Sequence, residues 1–170
     1  DMPQRHVQDL IMKLLYGDTP AGWNIAGEKK NILNMKRADF ITYKKAHYLP
    51  EATVLVVSGA ITEKQVMNEV GKIFGTMKMG KKAGKIKVKE RQKNPEVLVN
   101  FKKTDQTHFV LGVRSLSLFS KKNAVISVLG GVLGGGMSSR LFQKLREEMG
   151  VGYYVRAYND VFTAHGFFQI

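Results

Sequence analysis

Two residues stand out as able to do chemistry together. Arg146 and Tyr153 are seven positions apart, separated by Gly150 and Gly152. A guanidinium and a phenol on either side of a tight turn can face one cleft and donate to carbonyl oxygens. Arg146 falls near the end of an expected helix, where the helix dipole favours a cation whatever else the residue does. The other reactive residue types are scattered. His6, His47, His108 and His165 form no pair at i, i+4 and belong to no His-Glu-x-x-His or His-x-x-Glu-His pattern. Two imidazoles aimed at one zinc ion need such helical spacing, so each histidine reads as a structural or surface residue. No serine lies in a Gly-x-Ser-x-Gly elbow, and no carboxylate pair stands apart from the ordinary charged faces. Cysteine is absent, which removes disulfides, thiolate metal sites and cysteine nucleophiles.

The glycines before Arg146 invite a phosphate-loop reading, which fails in detail. Gly131-Val132-Leu133-Gly134-Gly135-Gly136 lacks the Gly-Lys-Ser/Thr ending, and it follows a helix rather than a strand. It reads as a helix stop and a tight turn. Ser138 or Ser139 then caps a helix running to about Met149, with Leu141, Phe142 and Leu145 inward.

The elements that must position this motif follow from periodicity. Val7, Leu10, Ile11, Leu14 and Leu15 give a helical stripe over 7–16. A second helix is expected over 37–48, with Phe40, Tyr43 and His47 on one side and Pro50 forbidding continuation. The β-branched run 53–58 predicts a buried strand closed by Gly59. Thr62 and Gln65 are spaced as a capping box, opening a helix with Val66, Val70, Ile73 and Phe74 on its apolar face and Gly75 after its last turn. Val97, Val99 and Phe101, then Phe109, Leu111 and Val113, alternate as two half-buried strands. A helix over 121–133 turns Val125, Val128, Leu129 and Val132 inward. Residues 153–158 and 164–170 predict two strands with Asn159-Asp160 near their turn.

The chain has 170 residues and a globular composition, with 44% apolar and 24% charged residues. No apolar run is long enough to span a membrane, and no cationic-then-apolar leader is visible, although a leader could precede Asp1. The compartment stays open, with the cytoplasm as the expectation. Net charge is +13, and residues 76–95 alone carry eight cations and one Glu, a net of +7. This segment contains Gly and Pro but no aromatic residue on which a base could stack, so it reads as a solvated linker and a nucleic-acid role is not favoured. The fold class is α+β. The predicted layout is two partial sandwich domains, 1–76 and 96–170, joined by a basic linker over 77–95, each with an antiparallel-rich sheet and helices on one face. The strand-like ending at Ile170 suggests an internal fragment of a longer chain.

The segment from Leu133 to Tyr153 resembles the second-domain hallmark of the pitrilysin/insulinase-type zinc peptidases, which include mitochondrial processing peptidase. Supporting resemblances flank it. Thr19-Pro20 with Gly27 and Ile32 is similar to a family loop. His47-Tyr48-Leu49-Pro50 followed by 51–59 is similar to the family's Tyr-x-Pro, strand, Gly segment. Gln106-Thr107-His108 with Val110-Leu111-Gly112 is similar to its second-domain opening strand. The resemblance implies paired α+β domains closing as a clamshell around a peptide-sized cavity. It implies a His-x-x-Glu-His zinc motif and a further Glu ligand in the first domain, where the metal polarises the scissile carbonyl and activates water. None of those residues is in this chain, so zinc belongs to the parent protein and this segment binds no cofactor. Arg146 and Tyr153 match the family's Arg and Tyr that hold substrate and favour the transition state. Tyr154 next door leaves open which phenol faces the cavity. The implied parent is a zinc metalloendopeptidase acting on peptide or unfolded polypeptide, as a homodimer or heterodimer with a related subunit and without a membrane partner. On this reading the segment alone is inactive. Two alternatives remain: a non-catalytic subunit of the same fold, and a basic nucleic-acid module.

Overall fold

A computed structural model describes residues 2–88 and 92–170. Lys89, Glu90 and Arg91 of the basic segment lie outside the described residues. The chain gathers into two compact units, 1–27 with 86–170, and 28–85. Residues 1–27, read from the sequence as part of a first domain, thus group with 86–170.

In the larger unit, α1 (Pro3–Tyr16) opens with proline in its first turn, where the missing N–H costs nothing. Its stripe buries Ile11, Leu15 and Tyr16. Three short strands, β1 (Gly112–Ser115), β2 (Tyr158–Val161) and β3 (Gly166–Gln169), form an antiparallel sheet in the order β1-β3-β2. In register, Arg114 and Asp160 both face Phe167, while Val113 and Asn159 face Phe168. Phe167 therefore points to one side of the sheet and Phe168 to the other, and both are buried. Consecutive buried aromatics require a cover on each face. Phe167 clusters with Ile11, Leu15 and Tyr16 of α1. On the opposite face, α5 (Asn123–Gly134) approaches Ala157, Tyr158 and Phe168. The expectation of helices on one face is corrected here, because α1 and α5 cover opposite faces.

Glycines make the α5 approach possible. A methyl group built on Gly130 would lie 3.0 Å from the Ala157 carbonyl oxygen, and one on Gly134 would overlap the Ala157 amide nitrogen. The buried residues of α5 are Gly130 and Gly134, whereas Val125 and Val128 are exposed. The helix thus presents its glycines to the sheet and not the apolar stripe expected to turn inward.

The hairpin also differs from expectation. Asn159 and Asp160 lie within β2, and the turn falls over 162–165, where the Phe162 amide donates to the His165 carbonyl at 2.8 Å. Pairing with Phe167 and Phe168 fixes this register, so the turn-prone Asn-Asp pair is absorbed into the ladder. Only Gly112–Ser115 forms a strand in the stretch from 97 to 115. Val97, Val99 and Phe101 are exposed, and residues 97–101 pair with no described strand.

The smaller unit contains α2 (Lys29–Asn34), α3 (Arg37–His47), a 3-10 turn over Pro50–Ala52 and α4 (Glu63–Phe74). The capping box forms as its spacing predicts. The Gln65 amide donates to Thr62 Oγ1 at 3.4 Å, and the Thr62 amide donates to Gln65 Oε1 at 3.0 Å. Residues 53–58 form no strand, a further departure from the sequence reading. Their alternation persists in exposure: Val54 and Val56 are more than four-fifths exposed, whereas Leu55 and Val57 are about half covered and line a hollow of about 360 Å³ with Val66 and Val70. A strand needs a backbone partner as well as an alternating pattern, and no described strand pairs with this segment.

Candidate functional site

The motif carrying Arg146 begins at Ser139, which is buried at the N-terminus of α6 (Arg140–Phe142). Its hydroxyl makes no capping bond and instead donates back to the Gly136 carbonyl at 2.6 Å. After one turn the helix widens into a π-helix over Gln143–Glu148. The wider ring shows in the Met149 amide, which donates five residues back to Lys144 at 3.1 Å. The π form is rare and occurs mostly as single turns inside α-helices, frequently at functional sites. Gly150 then adopts φ +62°, the left-handed conformation that ends helices, and Val151 donates to the Leu145 carbonyl at 3.0 Å. These bonds fold the chain back so that residue 153 returns beside residue 146.

Arg146 Nη1 donates to the main-chain carbonyl of Tyr153 at 2.6 Å. The guanidinium carbon lies 5.1 Å from the centre of the Phe142 ring, and Nε stands 3.9 Å from Glu147 Oε1. A charge-assisted bond of this length is among the stronger kinds. The arginine side chain is 47% exposed and Tyr153 is 81% exposed, so the guanidinium and the phenol both open to solvent. The sequence reading brings these two residues together, and the structure joins them through the tyrosine main chain. Tyr154 is also exposed. Phe142 is the member that spacing alone had assigned only to an inward face. Its position four residues before Arg146 on a helix was the available signal.

The histidines stay apart in role. His6 lies on α1, and His47 ends α3 with its ring 4.2 Å from that of Tyr43. His108 precedes β1. His165 sits in the β2–β3 hairpin, stacked on Phe162 at 4.6 Å and edge-on to Tyr16 at 4.8 Å. Zinc takes three or four His, Cys, Asp or Glu donors. Among the described residues, no group of three or more such side chains could hold a metal ion. The described residues therefore do not by themselves make up a zinc site.

A second polar cluster lies on the α1 face of the sheet. Gln169 Nε2 donates to the Tyr158 hydroxyl at 2.5 Å and reaches Asp160 Oδ2 at 3.4 Å. Burial pushes the Asp160 carboxyl above its ordinary range, partly offset by the bond from Gln169. Burial also raises the Tyr158 phenol, helped by the negative charge of Asp160. A hollow of about 570 Å³ opens beside Leu15 and Gly17, where Arg114 Nε donates to the Leu15 carbonyl at 3.0 Å and Nη2 to Gln92 Oε1 at 3.2 Å.

Residues 34–170 match the family model of the peptidase M16 inactive domain. The chain belongs to that family. The M16 assignment agrees with the resemblance carried by Leu133–Tyr153. An uncharacterized zinc protease of Bacillus subtilis, YmxG, is 32% identical over 171 residues, covering 100% of this chain and 41% of that protein. An uncharacterized zinc protease of Mycobacterium leprae is 30% identical over 169 residues, covering 98% of this chain and 38% of the relative. The chain thus spans about two-fifths of the length of these M16 relatives. Among solved structures, an M16 inactive domain from Pseudomonas fluorescens superposes with TM-score 0.69 at 19% identity, over 98% of this chain and 40% of the other. A protease from Helicobacter pylori gives TM-score 0.61 at 17% identity, over 98% and 46%. These two likenesses support the M16 fold, here mixed helices with a small antiparallel sheet. No helix among the described residues is long and apolar enough to cross a membrane.

Proposed function

We propose that this chain is the substrate-holding part of a zinc-dependent metalloendopeptidase. The zinc site lies in another part of the protein or on a related subunit. Peptide or unfolded polypeptide is the substrate, and a clamshell of related domains, assembled as a homodimer or heterodimer, encloses it. Arg146 and Tyr153 form one wall of the cleft. The observation that carries this reading is the Arg146 guanidinium anchored by one N–H to the Tyr153 carbonyl, on a side chain that is 47% exposed. A guanidinium fixed at one end is pre-organised to donate to a peptide carbonyl or terminal carboxylate. The names of the relatives, zinc proteases, support the reaction class.

The experiment is cleavage of a quenched-fluorescence peptide by the intact zinc-loaded protein, with any partner subunit present. Activity should be lost on chelation and restored by zinc. Arg146→Ala should lower kcat/KM by about 10- to 100-fold, the effect of losing a charged hydrogen bond worth about 1.5–3 kcal/mol. Full activity in that variant would remove Arg146 from the cleft. A second reading is favoured by the family description itself, which is of an inactive domain. On that reading the protein is a non-catalytic subunit. It would bind the peptide with Arg146-dependent affinity yet cleave nothing under any zinc condition.

A further inference from the structure

We infer that Phe142 is a positioning residue that aims the Arg146 guanidinium, an inference that rests on the reading of Arg146 as a substrate contact. The guanidinium has five N–H donors and a flexible stem, so holding a carbonyl in one place requires that the group be fixed first. Two contacts fix it. The Tyr153 carbonyl takes one Nη1 hydrogen at 2.6 Å, and the Phe142 ring lies beneath the guanidinium carbon at 5.1 Å. A cation within about 6 Å of a ring centre is attracted by the electron-rich face. The two supports come from opposite sides of the Gly150 turn, so the guanidinium is held between helix and return segment.

Glu147 adds a looser, solvent-exposed ion pair, its carboxylate 3.9 Å from Nε and beyond hydrogen-bond length, so it attracts the guanidinium without fixing the plane of the group. The π-helix begins immediately after Phe142. The ring is thus carried by the last α-helical residue and the guanidinium by the widened segment, which sets the offset between them. Phe142 is half-buried, with its ring 5.1 Å from the guanidinium carbon. Nη2 and Nε face no described acceptor at bonding distance, leaving them for the substrate.

The test uses Phe142→Leu, Phe142→Tyr, Arg146→Ala and the Phe142→Leu/Arg146→Ala double variant of the intact zinc-loaded protein. Peptide cleavage and peptide affinity by fluorescence anisotropy are measured beside the Arg146 Nε–Hε resonance and the melting temperature. Leucine keeps the bulk and removes the ring face, while tyrosine keeps both. Phe142→Leu should raise KM about 3- to 10-fold with a smaller change in kcat, and Phe142→Tyr should restore most of the loss. The Hε proton should lose its ring-current shift in the leucine variant alone. Adding Phe142→Leu to Arg146→Ala should cost less than about twofold more, because the two act through one group. An unshifted Hε resonance, or losses that multiply in the double variant, overturns the inference. If Arg146→Ala weakens the peptide and Phe142→Leu does not, the inference fails alone. If Arg146→Ala changes neither cleavage nor affinity, the reading of Arg146 fails and the inference goes with it.

Discussion

Arg146 is tied to Tyr153 by the tyrosine's main chain, with Nη1 donating to the carbonyl oxygen at 2.6 Å. The phenol takes no part in that bond and is exposed. The two groups are therefore separable. Tyr153→Phe removes a donor from the surface and leaves the anchor of the guanidinium intact. The Arg146 Nε–Hε cross-peak should stay within its wild-type position in Tyr153→Phe, and the melting temperature should be unchanged within about 0.5 kcal/mol of stability. A displaced cross-peak would mean that the phenol, not the carbonyl, sets the arginine.

The return of residue 153 to residue 146 depends on Gly150. At φ +62° an L side chain meets the following carbonyl, at a cost of about 1–2 kcal/mol. Gly150→Ala should lose that much stability in urea unfolding and should loosen Arg146 as well. Gly152, with no positive φ and no close neighbour for a methyl group, should accept alanine with little effect. Equal losses at both positions would place the turn elsewhere.

Much of this arrangement was legible in the sequence because it is local. The Thr62–Gln65 capping box, the α1 stripe ending in Ile11 and Leu15, and the closeness of Arg146 to Tyr153 each involve residues within one or two turns. What was not legible depends on partners far along the chain. Asn159-Asp160 has the chemistry of a turn, yet pairing with Phe167 and Phe168 draws it into β2. The runs at 53–58 and 97–101 have the alternation of strands, but alternation supplies a face and not a neighbour to bond with. In α5 the valines made the apolar stripe, and only close packing against Ala157 shows that the glycines face the sheet. Whether the carbonyl or the phenol oxygen of Tyr153 accepts from Arg146 is a matter of a few ångströms that residue spacing does not carry.

The glycines of α5 make a sharp internal comparison. A methyl group on Gly134 would collide with the Ala157 backbone, which cannot swing aside as a side chain would, whereas one on Gly131 meets nothing within 4 Å. Gly131→Ala should stabilise the helix by about 0.5–1 kcal/mol through lower backbone entropy in the unfolded chain. Gly134→Ala should destabilise by about 1–3 kcal/mol, as overpacking does. Melting temperatures of the two variants moving in the same direction would show that α5 does not lie against β2 in this way.

Asp160 predicts a pH dependence whose sign follows from its shift. Burial raises its carboxyl above the ordinary value of 3.8, with the Gln169 bond opposing, so the folded chain holds the proton more tightly than the unfolded chain does. The folded state therefore gains stability from this group at low pH and loses it as pH rises through the folded pKa. This opposes the usual acid behaviour of a paired carboxylate. Asp160→Asn has no proton to lose and keeps a polar side chain for Gln169 at every pH. The melting-temperature difference, wild type minus Asp160→Asn, should fall as pH is raised from about 3 into the range above 4, then level off. At alkaline pH a smaller second fall in this difference is expected, because burial disfavours ionising Tyr158 in both proteins whereas the Asp160 charge does so in the wild type alone, and Tyr158→Phe in both backgrounds should remove it. A difference that instead grows with pH in the acid range would show that Asp160 is stabilised as the carboxylate, and that Gln169 and the surrounding solvent outweigh its burial.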